Sequence, residues 1–459
     1  MRISFLVLLF NLCLAKSEAQ VTHWTVAGLP ITGRQIRSFY NDTISNKLYV
    51  GGEILDSIWD FSKLSLCVYD GVTWDTLGLF DQQQLCITKF NNDLIVGGFF
   101  SMVNGVPVHF IARYDGISWH PFGNFNHHVL RLKVIDGELY AAGQFDSVDS
   151  MPIHGIAKWT GTQWTDVHAF PWNPYSAISD FTEYNNELYV AGDFNIGGVE
   201  DMMFYHNGSW QEVGQGFGGF LNWVDKLEVL NGELYAGGSI SLSDGNVGNG
   251  IQKWNGISWS KVGDNLQDVN DSYANRIEVF DMTVHNNELY CVGLFQYAGH
   301  VSAKHLAKWT GNQWCGFGTA NEFDMVAYLV TVFNDTMYIS SGIDTINGIS
   351  TGYLIKWIGG NYVDSCSSPD GISENENSSE FYFYPNPTSD EVTVKLKSEK
   401  INKLAFIVFN SLGQVVIQSK INLLGSEFKI DVSKLPVGIY FLQVEMRDGI
   451  IRSRKLVKL

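Results

Sequence analysis

One unit recurs through most of this chain, and its period limits the fold more than any other feature. The copy ending at Trp210 shows it well: a polar pair, Asn185-Asn186, then Glu187-Leu188-Tyr189-Val190-Ala191-Gly192-Asp193-Phe194, then a hairpin that closes on the tryptophan. The Leu-Tyr position or its equivalent returns at Tyr49, Ile95, Tyr140, Tyr189, Tyr235, Tyr290 and Tyr338, with gaps of about 45 to 55 residues, the range of propeller blades. Seven copies of one unit have to share one structural solution, because each must bury the same faces against its neighbours.

Each copy reads as four short strands. A mostly apolar strand such as 129–135 leads into a two-residue hairpin turn, Asp136-Gly137 or Asn185-Asn186. The second strand, as in Leu139-Tyr140-Ala141-Ala142-Gly143, carries small residues that let backbones approach closely. The third ends in an aromatic (Tyr69, Tyr114, Trp159, Tyr205, Trp254, Trp309, Trp357), and a glycine-containing turn leads to a fourth that opens with Trp74, Trp119, Trp164, Trp210, Trp259, Trp314 or Tyr362. A lone sheet of this kind leaves two apolar faces, so seven must stack and close radially. The expected fold is all-β, a seven-bladed β-propeller over residues 20–365. The recurring aromatics are its interblade core and not a sugar-stacking row. The composition agrees, since 46 Gly, 10 Pro and 17% charged residues suit short strands and tight turns. Trp24, within Val21 to Gly28, reads as an orphan fourth strand that pairs with the last repeat and leaves 361–366 at that blade's edge.

The termini differ from the repeats. Residues 1–19 combine Arg2, an apolar run and a small-x-small site before Gln20, which reads as a secretory signal peptide. No later apolar run is long enough to span a bilayer, so no transmembrane segment is expected in the mature chain. The net charge of -18 falls on the repeats, and an acidic surface excludes nucleic acid as a partner. Five cysteines follow the leader, Cys67, Cys86, Cys291, Cys315 and Cys366; burial as small apolar residues is expected for them, with Cys291–Cys315 the first guess if a pair forms. Residues 366–380 have linker composition, and 381–459 alternate in short strands, as a small C-terminal Ig-like β-sandwich does.

In a four-stranded up-and-down blade, the second-to-third loop and the blade-to-blade connection share one rim, and here those segments vary most: 170–175, 214–223 and 264–275. Recognition on a rigid scaffold usually resides in such loops. Trp172, Tyr175, Trp223 and Tyr273 are therefore the candidate contact residues. Asp180 and Asp281, each nine residues before the repeat tyrosine, are placed where the first strand enters the ring and are expected to face a central channel. The pair His127-His128 stands alone, without an HExxH, CxxC or clustered-aspartate motif, and no catalytic residue, metal or cofactor is assigned.

The pattern Leu-Tyr-x-Gly-Gly-x-Phe, loop, Ile-Ala-x-Trp-x-Gly-x-x-Trp, as in 94–123, 139–167 and 289–318, resembles kelch-like and galactose-oxidase-central-domain-like propeller repeats of secreted proteins. The copper site of galactose oxidase does not map onto this chain, so its activity is not implied. The Asp-Gly turns, such as Asp70-Gly71, lack the intervening residue of the sialidase Asp-box. The tail resembles the C-terminal sorting domain of the type IX secretion system of Bacteroidota. It matches in order: Tyr384-Pro385-Asn386-Pro387, the Ser-Leu-Gly-Gln turn with Gly413, the Leu-Pro-x-Gly-x-Tyr strand with Gly438 and Tyr440, and a Lys-Leu-Val-Lys-Leu end with Lys455 and Lys458. The resemblance implies the secretion machinery as partner of 381–459, and delivery through the periplasm to the outer-membrane surface or the medium. A secreted or surface propeller that binds a glycan or a surface protein through its variable rim is the expected function. An extracellular carbohydrate-active enzyme using channel carboxylates, or a structural adhesive protein, is the alternative.

Overall fold

The computed structural model describes residues 23–29, 33–57, 60–218, 223–268, 277–317, 326–342, 345–346, 349–351, 353–359, 365–366, 381–396, 403–410, 415–422, 425–445 and 451–459. The chain divides into two compact units, 1–367 and 368–459. The architecture is all-β. Among the described residues the only helical element is one 3-10 turn, Leu242–Asp244.

In the first unit the described strands form seven principal antiparallel sheets, five of four strands, one of six and one of five. Their first strands are Gly33–Asp42, Gln84–Phe90, Val129–Ile135, Ala177–Tyr184, Trp223–Leu230, Glu278–His285 and Ala327–Phe333. The turns that follow them obey the sequence chemistry: Asn185 and Asn186 have φ of 53° and 61°, and Asp136 and Gly137 have 50° and 79°. Both central residues are left-handed, as a tight hairpin between right-twisted strands requires. Trp24–Val26 joins the seventh sheet by pairing antiparallel with Leu354–Trp357, with Trp24 opposite Trp357. Strand pairing therefore links the start of the repeat region to its end.

Every first strand carries a bulge where it meets the second, for example between Val129 and Arg131, Ile178 and Asp180, Val224 and Lys226, and Val279 and Asp281. The bulged strand thrusts a carbonyl toward a glycine of the second strand. A Cβ on Gly192 would lie 1.9 Å from the Ala177 carbonyl oxygen, and one on Gly143 would lie 2.1 Å from that of His128. No side chain fits there, which explains the small residues after the repeat tyrosine.

Two sets of hydrogen bonds tie successive sheets, the outer set at six of the seven junctions among the described residues. On the outer side, the fourth-strand indole donates to a carbonyl of the preceding sheet: Trp74 to Ala27 (3.0 Å), Trp119 to Leu77 (3.3 Å), Trp164 to Phe122 (2.8 Å), Trp210 to His168 (3.1 Å), Trp259 to Val213 (3.0 Å) and Trp314 to Val262 (2.9 Å). On the inner side the residue just after the bulge reaches the next first strand. Ser38 donates to the Gln84 carbonyl, the Cys86 thiol to Val129 and Arg131 Nε to Ser179, while Asp180 accepts from Leu227 N–H and Asp281 from Val330 N–H. Lys226 pairs with Asp281 at 3.0 Å, and Ser340 of the seventh sheet donates to the Ile36 carbonyl of the first. Successive first strands pack side by side, and the seventh packs on the first. The recurring aromatics fill the spaces between sheets, as with Phe122, Phe125 and Phe145 around the fully buried Trp164.

Two expectations need correction. Cys315 bonds to Cys366 and not to Cys291, which is buried outside the disulfide, as are Cys67 and Cys86. The strand Ser365–Cys366 lies against Trp314–Gly316 of the sixth sheet, not at the edge of the seventh. The chain reaches back one sheet after the last repeat, so the cysteine facing Cys315 is supplied from 51 residues downstream. Tyr362, expected to open a fourth strand, lies outside the described residues.

The second unit folds as two antiparallel sheets over one core. Phe381–Tyr384, Glu391–Leu396 and Glu427–Asp431 form the first sheet, and Lys403–Asn410, Val415–Asn422, Gly438–Glu445 and Ile451–Lys458 form the second. Alternate residues Val392, Val394 and Leu396 of one sheet meet Phe406, Val408, Leu442 and Val444 of the other. A period of two buries one face of each strand.

Candidate functional site

The residue after each bulge defines an inner row: Ser38, Cys86, Arg131, Asp180, Lys226, Asp281 and Leu329. On four successive sheets its charges alternate, positive at Arg131 and Lys226, negative at Asp180 and Asp281. Asp180 is fully buried. One of its oxygens accepts from Lys133 Nζ at 2.6 Å, Phe181 N–H at 2.9 Å and, at 3.4 Å, Arg131 Nε; the other accepts from Leu227 N–H at 2.9 Å. Burial alone would raise its pKa, but Lys133, Arg131 and Lys226 hold it at about 2. Asp281, also buried, divides its oxygens between Lys226 at 3.0 Å and Val330 N–H at 3.0 Å. Asp225, one residue before Lys226, goes the other way. Burial and the nearby Glu278 push it up to about 8, against a 3.0 Å hydrogen bond from the Trp223 indole and the pull of Arg131.

A cavity of about 200 Å³ opens among these strands, lined by residues of six of the seven sheets, including Arg37, Arg131, Lys133, Lys226, Asp281 and Thr331. Asp281 lines this cavity, and Asp180 holds the equivalent position just after the bulge of its own first strand. Their oxygens are engaged by neighbouring backbone and lysines. Among the described residues no three His, Cys, Asp or Glu side chains are grouped to hold a metal. His127 stacks on Phe110, His128 meets Phe110 edge-on and lies tilted against His127, and His128 meets Gln144 at 3.1 Å.

The three aromatic candidates among the described residues have different surroundings. Trp172 is partly buried and packs into the core of the fourth sheet, its ring against Gly155. Tyr175, on the same loop, is 91% exposed. Trp223 begins a first strand and is engaged with Asp225. Tyr273 lies outside the described residues.

A larger groove, about 490 Å³, opens where the variable segment that starts at Gly214 passes the fifth sheet. Gly214, Gln215, Gly216, Asn246, Gln252, Trp254, Ile257 and Trp259 belong to its lining, which contains no charged side chain. Gly214 lies flat on the two indoles, since a Cβ there would come within 2.8 Å of Trp254 and 3.1 Å of Trp259. Asn246 holds the opposite wall in place by exchanging two hydrogen bonds with the Gly218 backbone, at 3.0 and 3.1 Å. The loop was legible as variable in sequence. Trp254 and Trp259 were read only as core, because their partners across the groove come from the preceding repeat. Arg131 and Lys226 were overlooked, although they share with Asp180 and Asp281 the offset of nine residues from the repeat tyrosine.

In the second unit, motifs that are far apart in sequence meet. The Asn386 side chain donates to the Lys455 carbonyl at 3.0 Å and accepts from Val457 N–H at 2.8 Å. Thr388 N–H donates to the Val457 carbonyl, and Leu459 N–H returns to the Thr388 carbonyl. The Tyr384 to Pro387 turn is thereby fastened to the terminal Lys-Leu-Val-Lys-Leu strand. Tyr440 is buried with its hydroxyl donating to the Pro436 carbonyl at 2.8 Å, and Lys458 is buried as well. Gly413 lies outside the described residues.

Residues 382–458 match the family model of the secretion system C-terminal sorting domain. A type IX sorting tail is present, and the protein is exported to the cell surface or secreted. No helix among the described residues is long and apolar enough to cross a membrane. None of the curated proteins matches the chain. Solved structures similar to it include the extracellular domain of the BT4673 protein of B. thetaiotaomicron, 10% identical, with 92% of this chain and 75% of that one covered and a TM-score of 0.20. A glycoside hydrolase is 9% identical, with 93% and 98% covered and a TM-score of 0.25.

Proposed function

We propose that the first unit is a kelch-like, seven-bladed propeller displayed or released outside the cell, and that it binds a neutral saccharide in the groove beside Gly214. The propeller reading is supported by the inner set of contacts, which runs from sheet to sheet and returns from Ser340 to Ile36, and by the outer indole bonds, which include Trp74 to Ala27. The sorting tail is the export signal and, in this reading, an Ig-like sandwich that engages the secretion machinery.

The observation that carries the binding proposal is the groove's chemistry. Amides and indoles with no ionised side chain suit a sugar ring, which offers hydroxyls at its edge and C–H groups on its faces. Gln215 and Ile257 are exposed and available to a ligand. A binding role fits better than hydrolysis because Asp180 and Asp281 are tied into the fold. The test is a panel of neutral and acidic polysaccharides against the purified mature protein, recording both binding and released product. Binding of a neutral glycan that weakens at least about tenfold in Gln215→Ala or Ile257→Asp is expected, since one good contact is worth about 1.4 kcal/mol. Turnover of any glycan, or binding untouched by both substitutions, would overturn the proposal.

A further inference from the structure

The inner cavity has a charge pattern that the sheet-to-sheet ties do not use up. Asp180 directs its oxygens to Lys133, Arg131 Nε and two backbone N–H groups, and Asp281 to Lys226 and Val330 N–H. Lys226 also meets Glu228 at 3.8 Å, so three carboxylates answer two lysines and the inner nitrogen of one arginine. Among the described residues Arg131 uses only Nε, toward the Ser179 carbonyl and Asp180, which leaves the outer edge of its guanidinium without a carboxylate among them. Arg37, on the first sheet, lines the same cavity and has no ion pair among the described residues. Asp225, held near 8, adds little negative charge at neutral pH. A partly buried arginine whose fork is unanswered is costly unless an anion completes it.

We infer that this cavity is a site for a small oxyanion, a carboxylate being the best match. The fork of a guanidinium fits two carboxylate oxygens side by side, which a lysine does not. The volume of about 200 Å³ holds roughly six waters at about 30 Å³ each, which is enough for an acetate or a sulfate and too little for an oligosaccharide. Arg131 and Arg37 hold the oxyanion, while Lys133 and Lys226, already paired, keep the local field positive.

The experiment uses the purified mature protein and titrates sodium acetate, and separately sodium sulfate, by calorimetry at constant ionic strength set with sodium chloride. Saturable heat with acetate is expected, with affinity reduced at least tenfold in Arg37→Ala and in Arg131→Gln. Arg37 is exposed, so its variant tests the idea even if Arg131→Gln does not fold. The absence of saturable heat in the wild type, or equal affinity in wild type and Arg37→Ala, would overturn the site. A sulfate-induced rise in melting temperature shared by all variants would count as general salt stabilisation and against the site. The saccharide groove is untouched by this test, so the two proposals fail separately.

Discussion

Replacing Asp180 with alanine separates a structural carboxylate from a catalytic one. In the wild type the side chain accepts from Lys133 Nζ at 2.6 Å on the preceding first strand and from Leu227 N–H at 2.9 Å on the next. Alanine leaves the Lys133 ammonium with only the Phe181 carbonyl and no carboxylate, and the buried Leu227 N–H without its acceptor. Breaking a buried pair from one side costs about 3–5 kcal/mol. With roughly 2 cal/mol/K of unfolding entropy per residue in a unit of this size, that is a fall of about 4–7 °C in melting temperature. The substitution Asp180→Asn keeps a side-chain acceptor for the Leu227 N–H and loses only the charge, so its melting temperature should fall by less. The pH dependence supplies a second reading. The folded pKa is depressed from an ordinary 3.8 to about 2, so the stabilisation is present above about pH 4 and disappears as pH falls through about 2. Its size at neutral pH is ~2 kcal/mol. Differential scanning calorimetry at about pH 7 and about pH 2.5 should show the wild-type advantage over Asp180→Ala shrinking in acid. A variant that melts at or above the wild type at neutral pH would refute the reasoning, since relief on removal is what a strained catalytic carboxylate shows.

Two further outcomes follow from the structure. Removing the disulfide with Cys366→Ser frees a loop of 51 residues and should cost about 4 kcal/mol on the chain-entropy estimate; a wild type whose urea midpoint is the same with and without reductant would contradict this. Asp201 is buried, and its carboxyl is pushed up to about 8 by burial, with only a 3.5 Å hydrogen bond from Phe194 N–H in opposition. A raised carboxyl pKa withdraws stability as pH climbs from the unfolded value near about 4 toward the folded one, so Asp201→Asn should melt above the wild type at about pH 9, with the gap closing near about pH 4.

Much of the fold was legible because the repeat imposes it. Asn185-Asn186 demanded a left-handed turn, Gly192 demanded a bare backbone, and the fourth-strand tryptophans demanded a neighbour. Each was met by local geometry that one copy of the unit already encodes. The sorting tail was equally legible, since Tyr384 to Pro387 and Lys455 to Lys458 are short motifs whose residues lie close together in the chain.

The partners of those residues were decided only in three dimensions. That Cys315 faces Cys366, that Asn386 clamps the terminal strand, and that Trp254 and Trp259 border a groove opened by Gly214 all depend on residues from other strands or repeats. Periodicity states what every sheet needs and is silent about which charge answers which between sheets. In the sequence Asp180 and Asp281 are carboxylates expected to face a channel; the tertiary structure ties them to Lys133 and Lys226. A carboxylate's chemistry is set by the groups that close around it, and here the neighbouring strands supply them.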